Sequence, residues 1–275
     1  MAEAARADVA LAARGLARSR TEAAAMIRAG QVLADGRPVR RASERVAPTA
    51  ALTLAEDGPR YVSRAAHKLA GALEAFPDVA VRGRRALDAG ASTGGFTQVL
   101  LEAGAERVAA VDVGHGQLAA GVRADPRVLV REGLNVRDLT PEDVDGPVDL
   151  VVGDLSFISL RLVLDALARA CRPGADLLLM VKPQFEVGRS ALPRTGVVTD
   201  PEARRDAVAG VAAAALGSGL ELGGLARSGL PGQDGNVEFF LRLRRPDASA
   251  EPAAPSPPDA DRAAAWTADA GVDWA

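Results

Sequence analysis

Lysine is nearly missing from this chain: only Lys68 and Lys182 stand against 31 arginines. Arg stays protonated at any ordinary pH, whereas a Lys amine can be pushed towards neutrality by burial or by a neighbouring cation. Two positions that keep Lys in so Arg-rich a chain point to a titratable amine or a compact point charge. Cysteine is scarce too. With Cys171 alone there is no internal disulfide framework, and no Cys/His cluster offers a zinc site, so no metal is expected. Long apolar runs are absent. The longest bland stretch, residues 207–220, is 14 residues interrupted by glycine, which suits a packed helix and loop better than a membrane span. The start, Met1-Ala2-Glu3-Ala4-Ala5-Arg6, has no apolar core for a signal peptide, so the expectation is a cytoplasmic protein with no membrane partner.

What is present fits a soluble globular protein. A chain of 275 residues with 48% apolar content has room for one large domain and a small one. The net charge of −3 conceals an asymmetry: residues 1–46 carry nine Arg against five acids, while residues 246–275 carry six acids and one Arg. A basic unit at the front points to a polyanionic partner.

That unit, residues 1–57, reads as two helices and a hairpin. Asp8–Ala13 is short and helical. Ser19-Arg20-Thr21-Glu22 is a capping box for a second helix that ends at Gly30, and Asp35-Gly36 is a two-residue turn between Gln31–Ala34 and Arg37–Val39. The run Arg6-Ala7-Asp8-Val9, Arg14-Gly15-Leu16-Ala17-Arg18-Ser19-Arg20, Ala24, Ile27, Gly30, Val32 and Asp35-Gly36 resembles an S4 RNA-binding domain. The resemblance implies a grip on structured RNA through phosphate and shape contacts. Arg6, Arg18, Arg20, Arg28, Arg37, Arg40 and Arg41 are its candidate contacts.

Residues 58–62, with Gly58 and Pro59, read as a linker. From Ser63 a helical pattern carries Lys68, and strands then alternate with helices to residue 245. That alternation predicts an α/β fold with a largely parallel, Rossmann-like sheet covered on both faces. Strands are expected at 85–89, 107–111, 128–131, 148–153, 176–181, 219–226 and 237–243, with helices at 95–103, 160–170 and 201–216. Residues 246–275 are rich in Ala, Pro and Asp, and their composition predicts a disordered tail.

The first strand runs into Asp88-Ala89-Gly90-Ala91-Ser92-Thr93-Gly94-Gly95-Phe96, a glycine turn that lets a ligand approach the backbone and a helix N-terminus. The second strand ends in Asp112, placed to accept hydrogen bonds from ribose hydroxyls. A dinucleotide fingerprint wants G-x-G-x-x-G, but Ser92 occupies its second glycine. An acidic, glycine-lined pocket suits the cationic ammonium and sulfonium of S-adenosylmethionine better than a pyrophosphate. The candidate cofactor contacts are Asp88, Gly90, Ser92, Thr93, Gly94, Gly95, Phe96, Asp112, Asn135 and Asp154. Phe157 reads equally as a base-stacking ring or as core, and Glu186 as a partner of the Lys182 region or a solvated acid.

Lys68, Asp154, Lys182 and Glu238 fall at comparable places in the sheet plan. As a quartet they resemble the K-D-K-E tetrad of FtsJ-like ribose 2′-O-methyltransferases. The blocks Ser63-Arg64-Ala65-Ala66-His67-Lys68-Leu69, Asp154-Leu155-Ser156-Phe157-Ile158-Ser159, Val181-Lys182-Pro183-Gln184-Phe185-Glu186 and Gly235-Asn236-Val237-Glu238 resemble the TlyA-type family, which joins an S4 domain to that catalytic domain. This resemblance covers residues 6–245. It implies methylation of cytidine riboses in 16S or 23S ribosomal RNA, with Lys182 as general base, its pKa lowered by Lys68, and Asp154 and Glu238 orienting the amines. Members have also been called hemolysins. A membrane-active hemolysin and a non-catalytic RNA-binding protein are the alternative readings.

Overall fold

The computed structural model describes residues 4–28, 31–39, 41–54, 61–188, 191–247 and 259–275. The chain divides into two compact units, residues 1–66 and 67–275. Most of the expected linker at 58–62 lies outside the described residues, as does Gly30, the expected end of the second helix.

The first unit holds β1 (Ala5–Arg6), α1 (Ala7–Ala13), α2 (Arg20–Arg28), β2 (Val32–Ala34), β3 (Arg37–Pro38), β4 (Arg45–Val46) and β5 (Leu52–Leu54). At the start of α2 the Ser19 hydroxyl accepts the Glu22 N–H at 3.1 Å. Glu22 reaches back one residue further than a capping box requires and accepts the Arg18 N–H at 2.5 Å. Asp35 and Gly36 both take positive φ, 50° and 76°, which gives a two-residue hairpin the twist of its strands. That turn joins β2 to β3, and β5 pairs with the other edge of β2. Leu11, Ala23, Ile27, Val32, Val46 and Leu52 bury this unit's core.

The second unit opens with α3 (Ala65–Ala75), in whose first turn the division falls. There follow β6 (Arg85–Ala89), α4 (Gly95–Glu102), β7 (Arg107–Asp112), α5 (Ala120–Arg123), β8 (Val128–Glu132), β9 (Val148–Gly153), α6 (Leu164–Ala170), β10 (Cys171–Val181), α7 (Pro183–Glu186), α8 (Pro201–Gly217), β11 (Glu221–Arg227) and β12 (Phe239–Arg244). One seven-stranded sheet takes the order β11-β12-β10-β9-β6-β7-β8. Five strands from β8 to β10 run parallel, while β12 is antiparallel to both β10 and β11. Leu87, Val111, Val151, Leu177, Leu179, Val181, Phe239 and Leu241 join one core with α6 and α8. β10 starts at Cys171, earlier than the expected Asp176, and its register against β9 shifts between those residues. Pro173 and Gly174, the punctuation that delayed the expected start, are absorbed by that shift. Burial pushes the Cys171 thiol up to about 12.

The expectation of a disordered tail does not hold for residues 259–275. Asp259–Asp269 form α9, which packs along α8. Ala263 and Thr267, four residues apart, are buried on one helix face, and Trp266, Val272 and Trp274 pack against the core. Composition hides this helix because alanine carries little hydrophobic signal while having the best helix propensity. Among the described residues no helix is long and apolar enough to cross a membrane.

Candidate active site

The site is built at one edge of the sheet. β6, β7, β9 and β10 are parallel, so Asp88, Asp112, Asp154 and Lys182 arrive together at their carboxyl ends. This is where open α/β sheets bind ligands, and the crevice falls where the chain order turns from β6 towards β7 on one side and β9 on the other. β12 runs the opposite way, so its beginning reaches the same edge. Val181 pairs with Phe239. Lys182 and Glu238 are the next residues outward on the two strands, brought opposite one another by the ladder.

Lys68 completes the quartet from α3. Its Nζ donates to Glu238 Oε2 at 2.5 Å and lies 3.7 Å from Met180 Sδ. Lys182 Nζ lies 2.6 Å from Asp154 Oδ1, close enough for an ion pair but off the hydrogen-bonding direction, and donates to the Ser156 hydroxyl at 2.8 Å. The tetrad therefore resolves into two ion pairs, each amine with its own carboxylate. Both lysines and Glu238 are buried, and Asp154 is half-buried. Buried pairs of this kind contribute little net stability, because desolvation offsets most of the attraction.

The glycine turn is held by local physics. Gly94 has φ 93° at the N-terminus of α4, and a Cβ there would stand 2.8 Å from Leu118 and 3.0 Å from Val122. Only glycine fits. Asp112 spans two loops, accepting the Ser92 N–H at 2.8 Å and the Gly114 N–H at 2.7 Å. Asn135 is exposed and accepts the Arg137 N–H at 3.1 Å.

Two expected cofactor contacts face inward instead. Asp88 has no exposed surface and accepts the Thr97 hydroxyl at 2.7 Å, bracing β6 against α4. Burial pushes its carboxyl up to about 7, opposed by the Thr97 hydrogen bond and reinforced by Asp154 and Asp112. Phe96 is buried and stacks on Phe240 with ring centroids 6.2 Å apart. Gly94 and Gly95 are buried in the turn, whereas Gly90, Ser92, Thr93, Asp112, Asn135 and Asp154 keep surface facing outward.

The sequence left two readings each for Phe157 and Glu186, in the loop and turn that join these parts. Glu186 is buried rather than solvated, and its carboxylate accepts the Ser159 hydroxyl at 2.6 Å and the Leu160 N–H at 2.7 Å. Burial raises its pKa. The loop 154–160 is thus fastened to residues 182–186 at both ends. Between the fastenings stands Phe157, 92% exposed, with φ 64° and its ring 5.3 Å from that of Phe185. It is not a core residue. A positive φ in a bulky residue costs on the order of 1–3 kcal/mol and persists where function requires the position. Ser156 as a partner of Lys182 could have been found from its place two residues after Asp154.

In the first unit Arg6, Arg18, Arg20, Arg37 and Arg41 are exposed, while Arg40 and the side chain of Arg28 lie outside the described residues. Asp8 is buried and holds Arg6 at 3.0 Å and Arg20 at 3.1 Å. Hydrogen bonds from Arg6 lower the Asp8 carboxyl to about 2, so this clamp stays charged. Arg14 donates instead to the carbonyls of Ala47, Pro48 and Ala50, a structural role.

A family model described as FtsJ-like methyltransferase matches residues 61–245, and one described as S4 domain matches residues 5–51. The chain is 56% identical over 245 residues to a Mycobacterium tuberculosis protein named 16S/23S rRNA (cytidine-2′-O)-methyltransferase TlyA, across 89% of this chain and 91% of that one. A candidate rRNA methyltransferase of Bacillus subtilis is 41% identical across 88% of this chain and 86% of its own. A solved structure of a candidate hemolysin from Streptococcus thermophilus superposes with a TM-score of 0.70 at 35% identity, over 97% of this chain and 96% of that one.

Proposed function

The chain belongs to the TlyA-type family of FtsJ-like methyltransferases with an S4 domain, and on that premise we propose that it methylates cytidine ribose 2′-hydroxyls of 16S or 23S ribosomal RNA, using S-adenosylmethionine. The observation that carries this reading is the convergence of the Lys68–Glu238 and Lys182–Asp154 pairs at the carboxyl edge of the sheet. Such a substrate belongs to the cytoplasm.

The donor set fits the cofactor. Two carboxylates, Asp112 and Asp154, keep surface at the strand ends, and both raise the proton affinity of the buried Asp88 behind them. That field repels a pyrophosphate and attracts a ligand bearing ammonium and sulfonium charges. When bound, S-adenosylmethionine supplies an already activated methyl group. Gly90, Ser92 and Thr93 would line its amino-acid end, and Asp112 and Asn135 its nucleoside end.

The remaining work is positioning and proton removal. Lys182, in its neutral form, takes the proton of the ribose hydroxyl, and Asp154 stabilises the ammonium that results. Ser156 fixes the direction of Nζ. Glu238 holds Lys68 in place through its ion pair, and the Lys68 ammonium supplies a fixed positive charge where the ribose oxygen becomes anionic. Phe157, exposed and backed by Phe185, offers a stacking face for a nucleotide base.

The test is Lys182→Arg, assayed by mapping ribose methylation on ribosomal RNA. Arg keeps the charge but cannot accept the proton. The expected result is loss of methylation with cofactor affinity within a few fold of wild type, and near-normal turnover would remove Lys182 from the role of base.

A further inference from the structure

The last described segment, 259–275, lies outside the residues matched by the methyltransferase family model, yet it is tied to the part of the sheet that presents Glu238. Trp274 packs its ring on Phe239, centroids 4.9 Å apart, and Phe239 is the residue after Glu238. Asp273 pairs with Arg227, and Arg227 is opposite Phe239 in the β11–β12 ladder. The next residue of that ladder, Ser228, donates its N–H to the Glu238 carbonyl at 2.9 Å. The segment thus fastens both strands that bracket Glu238.

A second set of contacts leads to the same place. Arg204 of α8 is a buried cation, and it donates to the Trp274 carbonyl at 2.7 Å and to the Val198 carbonyl at 2.9 Å. The Val198 N–H is taken up by Asn236 Oδ1 at 2.9 Å, and the Asn236 amide donates to the Gly196 carbonyl at 3.0 Å. Asn236 is buried two residues before Glu238, and its carbonyl accepts the Gly232 N–H at 2.8 Å. Gly232 in turn abuts the carboxylate, since a Cβ there would stand 2.6 Å from Glu238 Oε1. The Trp274 carbonyl, which any residue at that position would supply, anchors the backbone of the segment to Arg204, and its ring covers Phe239, so that removing the ring strips that cover.

We propose that residues 259–274 form an intrinsic strap that fixes Glu238 against Lys68, with Trp274 as its positioning residue. Side chains alternate along β12, so Trp274 covers the face opposite the one on which Glu238 meets Lys68. It acts through the strand and touches no reacting atom. The inference rests on reading Lys68 and Glu238 as part of the active site, and a control separates the two claims.

The experiment compares full-length Trp274→Ala, Trp274→Phe and Glu238→Gln on unmethylated ribosomal subunits, well below each variant's melting temperature. Trp274→Ala is expected to lower kcat by about five-fold or more, leave the KM for cofactor within about two-fold and shift the pH–rate midpoint. Trp274→Phe, which restores an aromatic cover, is expected to recover most of the rate. Trp274→Leu, which keeps apolar cover without the ring, carries the same test if the alanine variant does not fold. A folded Trp274→Ala or Trp274→Leu protein with wild-type kcat and pH profile overturns the strap, even if its melting temperature falls. An active Glu238→Gln enzyme would overturn the active-site reading instead.

Discussion

Asp88 is a carboxylic acid without access to water, and its proton affinity reports on that position. Its folded pKa of about 7 lies above the ordinary 3.8 because burial penalises the anion. Below pH 4 the group is protonated in both the folded and unfolded chain and contributes no pH dependence. As pH rises towards 7 the unfolded chain releases the proton first, so the native state holds more protons and loses stability, levelling off above 7. Asp88→Asn can still accept the Thr97 hydroxyl and removes this dependence. Urea midpoints at pH 4.5 and 7.5 should show the variant gaining on wild type by a few kcal/mol across that interval. An equal pH dependence in both proteins would mean that Asp88 stays ionised. In the sequence, Asp88 reads as a ligand contact, because an acid before a glycine turn has that pattern. Which way it points depends on Thr97, and the packing of α4 is not visible in spacing. The structure brings Lys68, Asp154, Lys182 and Glu238 together, and in the sequence the two lysines stand out in an Arg-rich chain while the acids come from the resemblance to a tetrad.

The loop 154–160 and α7 act as one element because Glu186 joins them. Replacing its carboxylate by an amide keeps an acceptor for the Leu160 N–H but forces the Ser159 contact to reverse, with the amide donating, and removes the charge that strengthens both bonds and faces Arg161. Glu186→Gln is expected to cost roughly 1–3 kcal/mol in urea denaturation, and to lower kcat more than cofactor affinity as Phe157 and Ser156 lose their setting. Unchanged kcat would show that the loop holds itself. The strands β6 and β9 fall at the residues their apolar runs predict, since both faces are covered and the runs are nearly continuous. Periodicity identifies strands but not their neighbours. The placement of β12 between β10 and β11 is decided by long-range pairing, and α9 by packing on α8.

Over the whole molecule charge is divided, with the basic excess in residues 1–46 and the acidic excess in 246–275. A polyanion is therefore drawn to the first unit. Substituting Arg18, Arg20 and Arg37 with Gln should weaken ribosomal RNA binding and flatten its salt dependence by about 0.7–0.9 per lost phosphate contact, leaving cofactor affinity unchanged. A salt slope equal to that of wild type would move the RNA contact elsewhere. The sheet order also dictates a sequence of events during synthesis. β12 is the last strand among the described residues, yet it must settle between β10 and β11, both made earlier. Until it does, the apolar edge of β10 stands open, a template for pairing with another chain. Because Glu238 arrives with β12, a nascent chain still short of that strand holds Lys182 and Asp154 but no carboxylate for Lys68. The proposed active site is therefore finished late, and the open edge is covered by the same step.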